Sequence, residues 1–397
     1  MKRILLISVL LVWVFSFAEA QPLPRATPES AGMDSRGLAY ADSAIMRSIE
    51  SGETPGAVLG VVRFGKLVYL KAYGDKQTHP QPVPMTENTV FDMASVSKSV
   101  STAVSAMILI ERGLLRLYDN VSLFIPGFQP WTDSATGWKT EIKVIHLMTH
   151  TSGLPAYASV EELQKQYATP NPDGLIEHIS NVNRLSAPRA EFRYSCLNFI
   201  TLQRIIEIVS GKSLQAFARE NIFQPLGMIH TDYNPLGETL NRSAPTEPDR
   251  VPTGTVHDPL ARVMNGGVSG NAGVFSDAED LAVLSAMLLN DGELNGIRVL
   301  SPPAVKAMRT VPEGYEEFGR TLGWDLNSAY SSNKGDLLGS STYGHTGFTG
   351  TALVIDPEMQ TAVILLTNSV HLKTGNVIRL RGLVSNAVAG AIRQMSE

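Results

Sequence analysis

Two serines in the 397-residue chain stand three residues ahead of a lysine, Ser95/Lys98 and Ser331/Lys334. A serine so placed can act as a nucleophile if the lysine manages its proton. Context separates the two pairs. Ser95 opens "SVSKSVSTAVSAMILIERG", an apolar stretch almost free of charge from Ser99 to Ile110, and an i,i+3 spacing puts Lys98 one turn along on the same face. Ser331 lies in the polar "SSNKGD" and is expected to be a solvated loop. A helix start also offers free backbone N–H groups and positive potential to a developing alkoxide. A lysine buried there should hold its proton weakly and serve as a neutral base.

Other candidate chemistry is weaker. His146 and His150 have the i,i+4 spacing of a zinc helix, but "LMT" between them lacks the glutamate of H-E-x-x-H, and Thr151 to Pro155 ends the helix, so no metal site is expected. No G-x-S-x-G nucleophile elbow is present. Cys196 is the single cysteine, which excludes an intrachain disulfide and suggests a buried, inert packing role. Tyr194, in "FRYSCLNF", opens a helix after a loop, a place from which a phenol reaches a distant centre. In "YGHTGFTGTALVIDP", His345-Thr346-Gly347 precedes a strand edged by small residues along which a substrate could lie.

The elements that must position these groups follow from pattern. Helices are expected over 35–48, from 95 to a cap at Gly113, around 199–211, after Asp277, and from about Asn376. Hairpins are expected over 56–74, turning at Phe64-Gly65, and over 350–369. Strands at both ends with helices between imply an α/β fold, an antiparallel sheet flanked by helices with a mostly helical insertion. The α/β part spans about 21–113 and 254–397, and the insertion about 114–253. Lys2 and Arg3, an apolar run to Phe17 and Ala18-Glu19-Ala20 imply a signal peptide over 1–20, cleaved after Ala20, and hence a periplasmic or secreted protein with no stable membrane span. A net charge of −5 without a basic stripe gives no nucleic-acid footprint.

Ser95-x-x-Lys98, Tyr194 and the H-T-G at 345, in that order, resemble serine β-lactamases and penicillin-binding DD-peptidases, and in particular their class C-like group with its D-aminopeptidases and carboxylesterases. "HLMTHTSGLP" and "GGVSGNAGVFS" are similar to segments of that group. The resemblance implies that Ser95 is acylated, that Lys98 and Tyr194 share its proton, and that the backbone N–H groups of Ser95 and Phe348 form the oxyanion hole. It also implies that Cys196, Asn198, His345, Thr346 and Gly347 line the substrate site, that no cofactor is needed, and that the substrate is a small molecule or cell-wall peptide. Two departures stand out. Cys196 replaces the asparagine of Y-x-N, and His345 replaces the lysine of K-T-G, so a polar amide and a permanent cation are lost and β-lactam hydrolysis should be poor. A literal K-T-G at Lys373 is followed by no strand and is rejected. The alternatives are a broad carboxylesterase and a non-catalytic penicillin-binding sensor.

Overall fold

A computed structural model describes residues 22–393 except 248 and 374, and the side chain of residue 332 is also left aside. The expected signal segment lies outside the described residues. Asp34 caps α1 (Ser35–Glu50) by accepting the Arg36 N–H, and Leu38, Ala41, Ile45 and Ser48 fall on its buried face at spacings of three and four. The run "GAVLGVVR" forms β1 (Gly56–Arg63), buried along its whole length, as a central strand covered on both faces must be. The chain reverses through Phe64 (φ 48°) and Gly65 (φ 67°) into β2 (Lys66–Gln77). Positive φ at both turn positions matches the right-handed strand twist.

The short strands β3 (Val83–Pro84), β4 (Phe91–Asp92), β5 (Asp232–Tyr233) and β6 (Val274–Ser276) precede three late strands: β7 (Tyr343–Thr346), β8 (Ala352–Asp356) and β9 (Thr361–Thr367). The main antiparallel sheet runs β7-β8-β9-β1-β2-β3, with Ala57 paired to Thr367 at the junction of early and late sequence. β4, β6 and β5 make a second small sheet beside it. The histidine motif thus sits in the edge strand β7 itself, one strand earlier than the pattern suggested.

One face of the main sheet is covered by α1 and α6 (Ile378–Gly390), through Leu38, Ile45, Leu59, Val61, Val384 and Val388. The other face meets α5 (Ala278–Leu289), through Val58, Val62, Leu281 and Ile364. Beyond it lies the central segment, a wide π-helical stretch Lys98–Ala103 continuing into α2 (Val104–Glu111). Its small buried side chains admit close neighbours: Ser99 donates to the Gly323 carbonyl and Thr102 to the Gly270 carbonyl. Several short helices between 121 and 242 surround α3 (Val144–Met148) and α4 (Cys196–Ser210), which Gly211 ends at φ 68°. No helix among the described residues is long and apolar enough to cross a membrane.

Candidate active site

Ser95 stands in the turn immediately before the central helix, and among the described residues its hydroxyl accepts no backbone N–H there. Ala94, immediately before it, has φ 45°, a costly conformation for a residue with a Cβ. Asp92 holds that turn: one carboxylate oxygen accepts the Ala94 N–H at 2.8 Å and the other accepts the His257 N–H at 2.7 Å. The H-T-G turn is stitched to the same backbone, with Thr349 Oγ1 donating to the Asp92 carbonyl and Thr351 Oγ1 to that of Met93. A Cβ on Gly347 would lie 2.5 Å from the Met93 carbonyl oxygen, so only glycine lets the two segments approach this closely. Among the described residues, neither the Ser95 nor the Phe348 N–H donates to a protein acceptor. Both remain available to an oxyanion.

Lys98 is fully buried beneath Ser95. Its ammonium faces Ser95 Oγ at 3.0 Å, the Asn271 carbonyl at 2.8 Å and Cys196 Sγ at 3.6 Å. The glycine-rich segment explains the second partner. Gly270 packs against the Phe199 carbonyl where no side chain would fit, which brings the Asn271 backbone over the lysine. The expectation of a weakly held proton is overturned. Burial does work against the ammonium, but the Cys196 thiol and Tyr194 phenol favour it as they ionise, and Lys98 is held above its ordinary value.

The Tyr194 ring lies 5.1 Å from Lys98 Nζ, and its buried hydroxyl has no partner among the described residues. Cys196 starts α4 and touches the lysine, so it belongs to the site and is not a remote packing residue. Burial pushes its thiol up, against the pull of Lys98. Iodoacetamide at pH 7 is therefore expected to leave esterase activity intact, and Cys196→Ala to cost less than about tenfold in kcat; rapid thiol-specific inactivation would contradict this.

Ser95, Tyr194, His345, Thr346, Gly347 and Phe348 line one cavity of about 430 Å³. A larger hollow between α1 and α6, lined by residues such as Arg36 and Asn386, holds no nucleophile. Asn198, expected at the substrate, does not reach the cavity. Two residues beyond Cys196 the helix has turned by about 200°, and Asn198 is buried against Ser152 Oγ (2.5 Å) and His150 Nδ1 (3.3 Å). His146 and His150 do not converge either, since His146 Nδ1 accepts the Lys143 N–H.

His345 is buried, and its Nδ1 donates to the Thr346 carbonyl at 2.9 Å, which leaves Nε2 as an acceptor 3.4 Å from Arg320 Nη2. Burial, then the cations Arg320 and Lys98, hold its pKa well below the ordinary value, so it stays neutral. Arg320 supplies the permanent charge that the sequence motif lacks. It is fully buried, lies 3.6 Å from Asp325, and shares the cavity wall with Arg381, which donates to the Gly347 carbonyl at 2.8 Å.

Neither arginine was a candidate from sequence, and no local motif marks them. Tyr330 and Asn333 also line the cavity, while Lys334 donates to the Leu326 and Thr342 carbonyls, so the second serine–lysine segment is a wall of the site and not a solvated loop. The other K-T-G contributes Gly375 to the wall, while Lys373 is exposed.

A family model described as Beta-lactamase matches residues 41–384. A relative from Escherichia coli O157:H7, provisionally named a D-alanyl-D-alanine carboxypeptidase, is 32% identical, covering 94% of this chain and 92% of its own. An N-acetylmuramyl-L-alanine amidase from Bacillus subtilis (strain 168) is also 32% identical, over 86% of this chain and 83% of its own. Among solved structures, EstCE1, a hydrolase with promiscuous acyltransferase activity, superposes with a TM-score of 0.72 at 24% identity, covering 89% of this chain and 99% of that one. The chain belongs to the β-lactamase family and is a serine hydrolase of the β-lactamase and DD-peptidase type.

Proposed function

We propose that this is an exported hydrolase that cleaves amide bonds in cell-wall-derived peptides through a Ser95 acyl-enzyme. The observation that carries the substrate side is the pair of guanidinium groups, Arg320 and Arg381, in the wall of the nucleophile's cavity, with Asp325 as the nearby counter-charge. A carboxylate-bearing peptide end suits that wall. The relatives named a D-alanyl-D-alanine carboxypeptidase and an N-acetylmuramyl-L-alanine amidase support the same class.

In the reactive form the Lys98–Tyr194 pair has given up one proton, leaving an ammonium beside a phenolate. Ser95 Oγ attacks the substrate carbonyl as its proton passes to the Tyr194 oxygen, and the Ser95 and Phe348 N–H groups receive the oxyanion. The tetrahedral intermediate then collapses, the carbon–nitrogen bond breaks, and Tyr194 returns the proton to the leaving amine. Water repeats the sequence to release the acid. Lys98 keeps its ammonium throughout and compensates the charge that forms and disappears beside it.

The partly exposed rim residues Phe348 (75%), Ile378 (58%) and Tyr330 (51%) favour an ester with an apolar acyl group as the second reading. Mass spectrometry after incubation with muropeptides, a penicillin and p-nitrophenyl esters discriminates. Turnover of esters alone would leave only the esterase.

Because His345 is neutral and Arg320 remains charged, the ratio of kcat/KM for a carboxylate-bearing substrate to that for a neutral ester should stay flat between about pH 5.5 and 8. Arg320→Gln should lower that ratio by about 10²-fold, the scale of a lost buried charge pair. A ratio that rises as pH falls would return carboxylate recognition to His345.

A further inference from the structure

His150 has no role in the chemistry above, yet it is fully buried and held at φ 58°, a backbone region where histidine and asparagine are tolerated better than most residues. Its main chain and side chain grip the same neighbour. The His150 carbonyl accepts the Arg193 N–H at 2.9 Å, and Nδ1 accepts the Ser195 N–H at 3.1 Å. These are the residues on either side of Tyr194. The imidazole also lies against the Tyr194 ring, with centroids 4.4 Å apart, and is backed by Phe199 at 5.1 Å. Further bonds extend the grip along the chain, with Ser195 Oγ donating to the Pro155 carbonyl and the Cys196 N–H to that of Ala156.

We infer that His150 is a positioning residue that fixes the Tyr194 phenol over Ser95 and Lys98 by clamping the peptide on both sides of it and packing against its ring. Nδ1 must present a lone pair to the Ser195 N–H, so the ring proton sits on Nε2. Asn198 reinforces that tautomer. Its carbonyl oxygen accepts from Ser152 Oγ, which turns its NH2 toward Nδ1 at 3.3 Å. The left-handed backbone at His150 lets a single residue present both its carbonyl and its ring to one extended segment, Arg193 to Ser195. The segment "THTSG" is thus a cradle for the tyrosine, and the histidine spacing that suggested a metal has another cause.

This inference rests on Tyr194 taking the serine proton, and the test keeps the two claims apart. Asparagine tolerates the same backbone and carries its oxygen where Nδ1 stands, whereas glutamine carries its oxygen one bond too far. His150→Gln should lower kcat by about 10²-fold, the scale of an ångström-sized misplacement, with KM changed less than about threefold. His150→Asn should recover kcat to within about tenfold of the parent. In a Tyr194→Phe background, His150→Gln should cost less than about threefold more, because nothing remains to be positioned.

An equal loss from His150→Gln in both backgrounds, or a folded His150→Asn with a loss above about 10²-fold, would overturn the inference. If Tyr194→Phe alone left turnover intact, the proton-transfer reading of Tyr194 would fall first. Circular dichroism of each variant checks the fold. Should His150→Gln not fold, kcat of His150→Asn still decides.

Discussion

Ser95→Ala is expected to abolish covalent labelling by a fluorophosphonate or a penicillin and to lower kcat by about 10⁶-fold, the loss typical when a nucleophile that acts as part of a unit is removed. The physical basis is the convergence at Ser95 Oγ. The ammonium of Lys98 lies 3.0 Å away, and two uncommitted backbone N–H groups flank the position an oxyanion would take. Alanine keeps the turn, because Ala94 and Asp92 hold the backbone without help from the Ser95 side chain. Substrate should therefore still bind. Peptide mapping should place the adduct of the parent protein on the segment containing Ser95. An adduct on Ser331 or Cys196 would sink the assignment.

Lys98→Ala and Tyr194→Phe should each lower kcat by about 10³-fold or more, and the double variant should be little worse than either single one. In the proposed mechanism the two groups act on one proton. Without the ammonium the phenolate has no compensating cation, and without the phenolate the ammonium has no acceptor to offer the serine. Additive losses would mean that the two side chains work independently. Lys98→Ala also leaves the buried Asn271 carbonyl without its donor, so its melting temperature should fall while its circular dichroism stays native-like.

What could be read from the sequence is what local pattern decides. The Ser95–Lys98 spacing, the Phe64-Gly65 turn, the helix ended by Gly211 and the late hairpin all follow from residues within a few positions of one another. The α/β architecture follows from the order of those elements. What could not be read depends on which distant segments meet.

The balance at Lys98 is set by burial against the groups at 196 and 194, and the neutrality of His345 largely by burial and by Arg320, a residue with no motif around it. The resemblance implies a substrate contact for Asn198, but two helical positions beyond Cys196 turn it toward His150. The H-T-G motif alone implies a loss of charge, whereas Arg320, distant in sequence, stands 3.4 Å from His345.

The pairing of β1 with β9 has a consequence for the order in which this enzyme comes into being. Ala57 finds its partner only when Thr367 has been made, so the N-terminal hairpin waits through most of synthesis with an apolar edge uncovered. Such distant pairing closes slowly. The same late segment carries Phe348 and the threonines that fasten the H-T-G turn to the Asp92–Met93 backbone. A growing chain can therefore contain Ser95, Lys98 and Tyr194 and still be inert. On the proposed mechanism it gains both oxyanion donors only when its last strands dock, which would keep a bond-cleaving enzyme silent until the whole sheet has closed.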